Sequence, residues 1–201
     1  VVNGSKTFIS IGQLGDLFIV VVKTDPGATP PHAGISLLLV EADTPGFVRG
    51  RKLEKLGLHA QDTSEIFLQD CRVPADNLLG PRQAGFVIAQ GRLGPGRIHH
   101  CMRWLGQMQR AFDLMVQRSI NRHAFGGPLA DKGIIQTWIA DSLVNIQAAR
   151  LLTMQAAMKI DSGDEARVEV SMIKFFVMET ACNVIDKAMQ VRLRIFGIRG
   201  E

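Results

Sequence analysis

The apolar residues of this chain change period near Gly85, and that change limits the fold more than any other feature. Upstream, they run in short blocks closed by Gly and Pro. Leu17-Phe18-Ile19-Val20-Val21-Val22 ends at Asp25-Pro26-Gly27, residues 35–41 end at Thr44-Pro45-Gly46, and residues 65–73 alternate until Pro74. Such blocks predict strands, and Asn3-Gly4 predicts a hairpin turn. Short strands at this spacing predict a sandwich or barrel. Downstream, Trp104, Leu105, Met108, Ala111, Phe112 and Met115 recur at helical spacing, as do Ile134, Ile135, Trp138, Ile139, Leu143 and Ile146. An Ala/Leu/Met-rich stretch from Ala148 to Ile160 predicts a third helix. After Asp161-Ser162-Gly163-Asp164, a fourth pattern runs to about residue 190. The expected class is α+β: a β-sandwich or barrel-like domain over residues 1–82, then an antiparallel four-helix bundle over 83–201.

With 46% hydrophobic and 21% charged residues, the chain can bury a core and is not of the disordered type. Its net charge of +4 is scattered rather than run together, which excludes a nucleic-acid footprint. A mildly positive surface suits an anionic substrate. Cys71, Cys101 and Cys182 are odd in number and far apart, without CxxC or metal spacing to the histidines. A reducing, intracellular compartment is the expectation. No apolar run reaches the length of a membrane span. Val1-Val2-Asn3-Gly4 reads as the interior of a β-hairpin rather than a leader.

Two segments carry chemistry. Gly91-Arg92-Leu93-Gly94-Pro95-Gly96-Arg97 reads as a glycine-rich turn feeding a long amphipathic helix. It would put Arg97 at a helix start, where an anion or carbonyl is readily held. The second is Arg122-His123-Ala124-Phe125-Gly126-Gly127-Pro128-Leu129. His99 and His100 are adjacent, so they face different sides of a helix and do not share a metal. The Met residues fall mostly at core spacing. Arg49, Arg51, Lys52 and Lys55 form a short basic cluster, read as a solvated face.

Taken in order, several motifs resemble the central β domain and C-terminal helical domain of the acyl-CoA dehydrogenase family. They are Asn3-Gly4-Ser5-Lys6-Thr7-Phe8-Ile9-Ser10, Gly15-Asp16, Leu56-Gly57 with Asp62-Thr63, and Val73-Pro74-Ala75-Asp76-Asn77-Leu78-Leu79-Gly80. Arg122-xx-Phe125-Gly126-x-Pro128-Leu129 and Ala140-Asp141 complete the series, which covers about residues 1–191. The wording from Gly94 to Arg103 is most similar to the branch of family members 10 and 11. The resemblance implies FAD-dependent α,β-desaturation of an acyl-CoA thioester, with electrons passed to an electron-transfer flavoprotein. It implies a dimer or tetramer, in a bacterial cytoplasm or mitochondrial matrix.

Carried over residue by residue, the resemblance puts Phe8, Ile9 and Ser10 along the flavin ring. Arg122 and Phe125 would reach the FAD pyrophosphate and adenosine of a neighbouring subunit, and Gln190 begins a motif that wraps the partner's flavin. Arg97 would line the acyl-CoA site. Arginine suits pyrophosphate because its planar fork gives paired hydrogen bonds.

The chain also departs from the family. Gly96 stands where some branches carry the catalytic glutamate. Lys132-Gly133 stands where a Gln is usual, with Gln136 as a substitute. After Gln190-Val191 the expected glycine turn is replaced by Arg192-Leu193-Arg194-Ile195-Phe196, and Gly197 follows where many members have the base. Glu201 is the nearest carboxylate, but its register is wrong. The family's N-terminal helical domain has no counterpart here. Two rivals follow: an acyl-CoA oxidase, which uses dioxygen, and a catalytically inactive homologue serving as a binding or assembly module.

Overall fold

A computed structural model describes residues 1–192 of the chain. The chain divides into two compact units, Val1–Gly91 and Arg92–Glu201.

The first unit is built from five strands: β1 (Val2–Ser10), β2 (Leu17–Lys23), β3 (Ile35–Glu41), β4 (Phe47–Lys52) and β5 (Thr63–Cys71). They form two antiparallel sheets, one ordered β1-β5-β4 and the other β2-β3. Val20, Val40, Phe47, Ile66, Leu68 and Cys71 come from both sheets and form one buried core, as in a sandwich. Burying each large aliphatic side chain contributes about 1.5–3 kcal/mol. The rings of Phe18 and Phe47 tilt against each other with centroids 4.9 Å apart.

Two sequence expectations change here. Asn3-Gly4 is not a hairpin turn but lies inside β1, where the pairing slips between Val2↔Cys71 and Gly4↔Leu68. The reason lies in Asn3, whose side-chain amide donates to Asp70 Oδ1 (3.1 Å) while its Oδ1 accepts from the Asp70 amide (2.7 Å). The side chain replaces missing ladder bonds opposite a bulge whose extra residue falls on β5, between Leu68 and Cys71, and the dipeptide makes no reversal. Strand β4 was not anticipated. It follows Gly46, whose φ of +89° turns the chain where an added Cβ would lie 2.1 Å from the Gln69 carbonyl oxygen.

Three long helices, not four, account for the helical part among the described residues: α1 (Gly85–Asn121), α2 (Gly133–Asp161) and α3 (Arg167–Arg192). The second and third predicted helices are one, because nothing between Ile146 and Ala148 breaks the run and alanine favours its continuation. The glycine-rich turn is absent too, since α1 runs straight through Gly94-Pro95-Gly96. Pro95 removes one backbone bond, and Gly91, Gly94 and Gly96 around it give the backbone freedom to adjust. Ile98, Cys101, Leu105 and Met108 then repeat on one buried face and hold the helix together. They pack with Ile146, Ala149 and Ala156 of α2 and Val170, Ile173, Val177, Ala181 and Val184 of α3. A smaller cluster of Met115, Ile135, Ala188 and Val191 joins the far ends of the three helices. No helix among the described residues is long and apolar enough to cross a membrane.

Candidate functional site

In the β unit, Phe8-Ile9-Ser10 closes β1 at a second irregularity, where pairing slips between Lys6↔Ile66 and Ile9↔Ser64. Phe8 occupies the left-handed region with φ +62° and is 77% exposed. A bulky residue there is uncommon. A bulge re-aims a side chain, and strain of this kind clusters at ligand sites. Ile9 is half-buried against the β core, and Ser10 Oγ accepts a hydrogen bond from Gln61 Nε2 (3.2 Å). Phe8 therefore points to solvent while its neighbours anchor the strand end.

In the helical unit, α1 ends at a short hairpin, β6 (His123–Ala124) paired with β7 (Gly127–Pro128). Arg122 continues the helical bonding, its amide donating to the Arg118 carbonyl (2.9 Å), and its side chain is exposed. At the hairpin tip Phe125 has φ +54° and is 90% exposed. Lys132 Nζ donates to the Phe125 carbonyl (2.8 Å) and fixes that tip. Lysine at the position where a Gln was expected thus has a local purpose. Gln136 donates instead to the Ala130 carbonyl (2.9 Å). Gln190 is exposed near the end of α3, beside the cluster of Ala188 and Val191 against which Leu129 packs. Leu129 in turn donates its amide to the Arg122 carbonyl (2.9 Å). Arg122, Phe125 and Gln190 thereby share one end of the helical unit.

Arg97 is half-buried and lies well inside α1, not at its start, so the helix-terminus argument for it does not hold. Among the described residues it forms no ion pair. Glu201 and the segment from Leu193 onward, Gly197 included, lie outside the described residues. His99 and His100 are exposed on α1, and the Arg103 guanidinium lies 3.2 Å from His100 Nδ1. Desolvation, together with the Lys174 and Arg103 charges, holds the His100 imidazole below its ordinary range. Burial pushes the Cys101 thiol up, against the smaller pull of Lys174.

Sequence reasoning missed the polar anchors of the β unit. Arg49 is half-buried, not solvated, and its guanidinium meets the carbonyls of Gly12, Gln13 and Gly15. Asp62 is buried and accepts from the Gln13 amide. Placing Arg49 in a basic run concealed it. Alternation along β4 gave no signal, because Arg51, two residues on, would share its face in a regular strand; the pairing slips between Arg49 and Lys52, and Arg51 is exposed and pairs with Glu65 (3.3 Å).

The acyl-CoA dehydrogenase middle-domain model matches residues 1–71, and the C-terminal-domain model matches residues 83–192. The chain is 47% identical over 196 residues to a probable acyl-CoA dehydrogenase, FadE2, of Mycobacterium tuberculosis, covering 95% of this chain and 48% of the relative. It is 44% identical over 207 residues to acyl-CoA dehydrogenase family member 10 of Mus musculus, covering all of this chain and 19% of that protein. The crystal structure of an acyl-CoA dehydrogenase from Geobacillus kaustophilus superposes with a TM-score of 0.90 at 43% identity, covering 94% of this chain and 50% of that one. The chain thus spans half or less of the length of these relatives. Two family models in the family's order, together with these relatives, identify the chain as a member of the acyl-CoA dehydrogenase family.

Proposed function

We propose that this chain supplies the middle and C-terminal parts of an FAD-dependent enzyme that desaturates an acyl-CoA thioester at its α,β bond. The observation that carries this reading is a pair of phenylalanines. Phe8 and Phe125 are both held in the left-handed region and both exposed, an arrangement with a cost that an aromatic ligand offsets. The residues fit FAD: an exposed aromatic two positions before a serine in one unit, and an exposed aromatic three positions after an exposed arginine in the other. When bound, FAD supplies the acceptor for the β-hydride. Phe8, Ile9 and Ser10 would flank and orient the ring, while Arg122 would neutralise the pyrophosphate and Phe125 cover the adenosine of a neighbouring subunit's FAD, with Gln190 at the start of the segment that wraps the partner's flavin. Arg97, half-buried on α1, lines the acyl-CoA site, where it bonds the substrate or shapes the pocket base. Water exclusion by these apolar groups strengthens any hydrogen bond to the thioester carbonyl, which is what makes its α-proton removable by a carboxylate.

The division into a β domain over 1–82 and a helical domain over 83–201 belongs to the same reading, supported by the family-model limits. So do an oligomer with FAD shared between subunits, an intracellular location and an electron-transfer flavoprotein as acceptor. One specific observation favours the inactive-module alternative: Gly96 and Gly197 occupy the two places where family members carry the base.

The test is the visible spectrum of the intact gene product, before and after anaerobic addition of acyl-CoAs of graded length. The proposal expects a flavin band that bleaches. A flavin band that persists with every acyl-CoA supports the inactive module, and the lack of any flavin band overturns both. Reoxidation of the bleached enzyme by dioxygen as fast as by electron-transfer flavoprotein identifies an oxidase.

A further inference from the structure

The turn Ile11–Gly15 leaves β1 directly after Phe8-Ile9-Ser10, and two side chains from elsewhere in the β unit grip it. Arg49 of β4 donates from Nη1 to the carbonyls of Gly12 (3.2 Å) and Gln13, and from Nη2 to the carbonyl of Gly15 (2.8 Å). Asp62 Oδ2 accepts from the Gln13 amide (2.5 Å), and the Asp62 backbone carbonyl accepts from the Ile11 amide (3.0 Å). Gln13 Nε2 reaches the Gly50 carbonyl (2.7 Å), and the Gly15 amide closes onto the Ile11 carbonyl (2.7 Å). Carbonyls and amides of one five-residue turn are thus met by a guanidinium on one side and a carboxylate on the other.

The turn resists this arrangement. Ile11 is β-branched and has φ +63°, a genuine outlier for such a residue. Gly12 leaves no room, since an added Cβ would lie 2.3 Å from the buried Ser64 Oγ. Strain of this kind persists only where the surroundings over-determine it. A planar fork reaches the divergent carbonyls from two nitrogens, whereas an ammonium offers its donors from a single point.

We infer that Arg49 and Asp62 are positioning residues for the cofactor-edge segment: they lock Ile11–Gly15 and so keep Phe8, Ile9 and Ser10 in the strained form that meets the flavin. The inference rests on the flavin reading of Phe8–Ser10. It differs from the basic-cluster reading of Arg49 because the guanidinium is turned onto the chain's own backbone.

The test uses the intact gene product with Arg49→Met, Arg49→Lys and Asp62→Asn, and Arg51→Met on the same strand as the control. Amide hydrogen exchange is followed without FAD, and FAD affinity and the flavin band are measured separately. Arg49→Met and Asp62→Asn are expected to speed exchange at Ile11, Gln13 and Gly15, with β3 amides unchanged, and to weaken FAD binding by about tenfold or more. Arg49→Lys should fall between them and the parent, and it decides the matter if Arg49→Met does not fold. Arg51→Met should match the parent in both readouts. Faster exchange with unchanged FAD affinity and band overturns the positioning role while leaving the flavin reading intact. A parent protein that binds no FAD overturns the flavin reading and this inference with it.

Discussion

The two units hold their unusual backbone geometry, and with it an exposed aromatic side chain, in different ways. Five of the six non-glycine residues with positive φ among the described residues lie in the β unit: Phe8, Ile11, Leu58, Asp70 and Gln83. Only Phe125 lies in the helical unit, outside its three helices. A strand fixes side-chain direction by strict alternation, so re-aiming one residue requires a bulge and buried polar anchors to hold it. A helix offers its ends, so the helical unit keeps its core regular and puts the unusual geometry in a hairpin beyond α1. Deviations inside the β unit are therefore expected to be costly to disturb, while the helix interiors should respond to packing and propensity alone.

Changes in the helical core should give the largest effects. Met108 is fully buried at the centre of the three-helix cluster. Met108→Ala should destabilise the helical unit by about 2–5 kcal/mol, read from denaturant unfolding of the helical circular-dichroism signal. A loss below about 1 kcal/mol would mean the core is not where the buried cluster places it. A glycine pair tests the contrast between units most sharply. Gly46→Ala requires a left-handed alanine with its Cβ 2.1 Å from a carbonyl oxygen, and should cost about 2–4 kcal/mol. Gly106→Ala lies within α1 with nothing within 4 Å of the added Cβ, and should stabilise by about 0.8 kcal/mol. Equal signs for the two in thermal melts would break the comparison.

The smallest effect concerns the ion pair of Lys159 and Glu169, at 2.6 Å. The hydrogen bond from Lys159, reinforced by a backbone bond, holds the Glu169 carboxyl below its usual 4.5. A depressed carboxyl contributes stability that is complete above the unfolded value and lost as pH falls through the folded one. The melting temperature of the parent should therefore exceed that of Glu169→Gln above pH 4.5 and converge with it at lower pH. Parallel melting curves at all pH values would remove the pair from the account.

Regular elements were the most legible part of the sequence. β2, β3 and the buried face of α1 stand out because periodicity and β-branching record burial directly. The β-plus-helical division was legible from the change of period near Gly85, and the family from the motif series. What failed did so for local reasons. Asn3-Gly4 serves a bulge because the Asn3 side chain pairs with Asp70 across the sheet, a partner 67 positions away that no local pattern reveals. The stretch from Gly91 to Arg97 reads as a glycine-rich turn, yet α1 continues through it because Ile98 and Cys101 bury beyond it. In the candidate site, Phe8 and Phe125 could be named from motifs, but their left-handed backbone could not. Arg49 was misread for the same reason, because the direction of a side chain depends on the fold around it.

Titration of FAD against the intact gene product, comparing the parent with Phe8→Ala and Phe125→Ala, tests the central claim most directly. If the two exposed left-handed rings cover the cofactor, each truncation should weaken binding by about tenfold to a hundredfold, the equivalent of uncovering one aromatic side chain. Parent and variants binding FAD equally, or a parent that binds none, would contradict it.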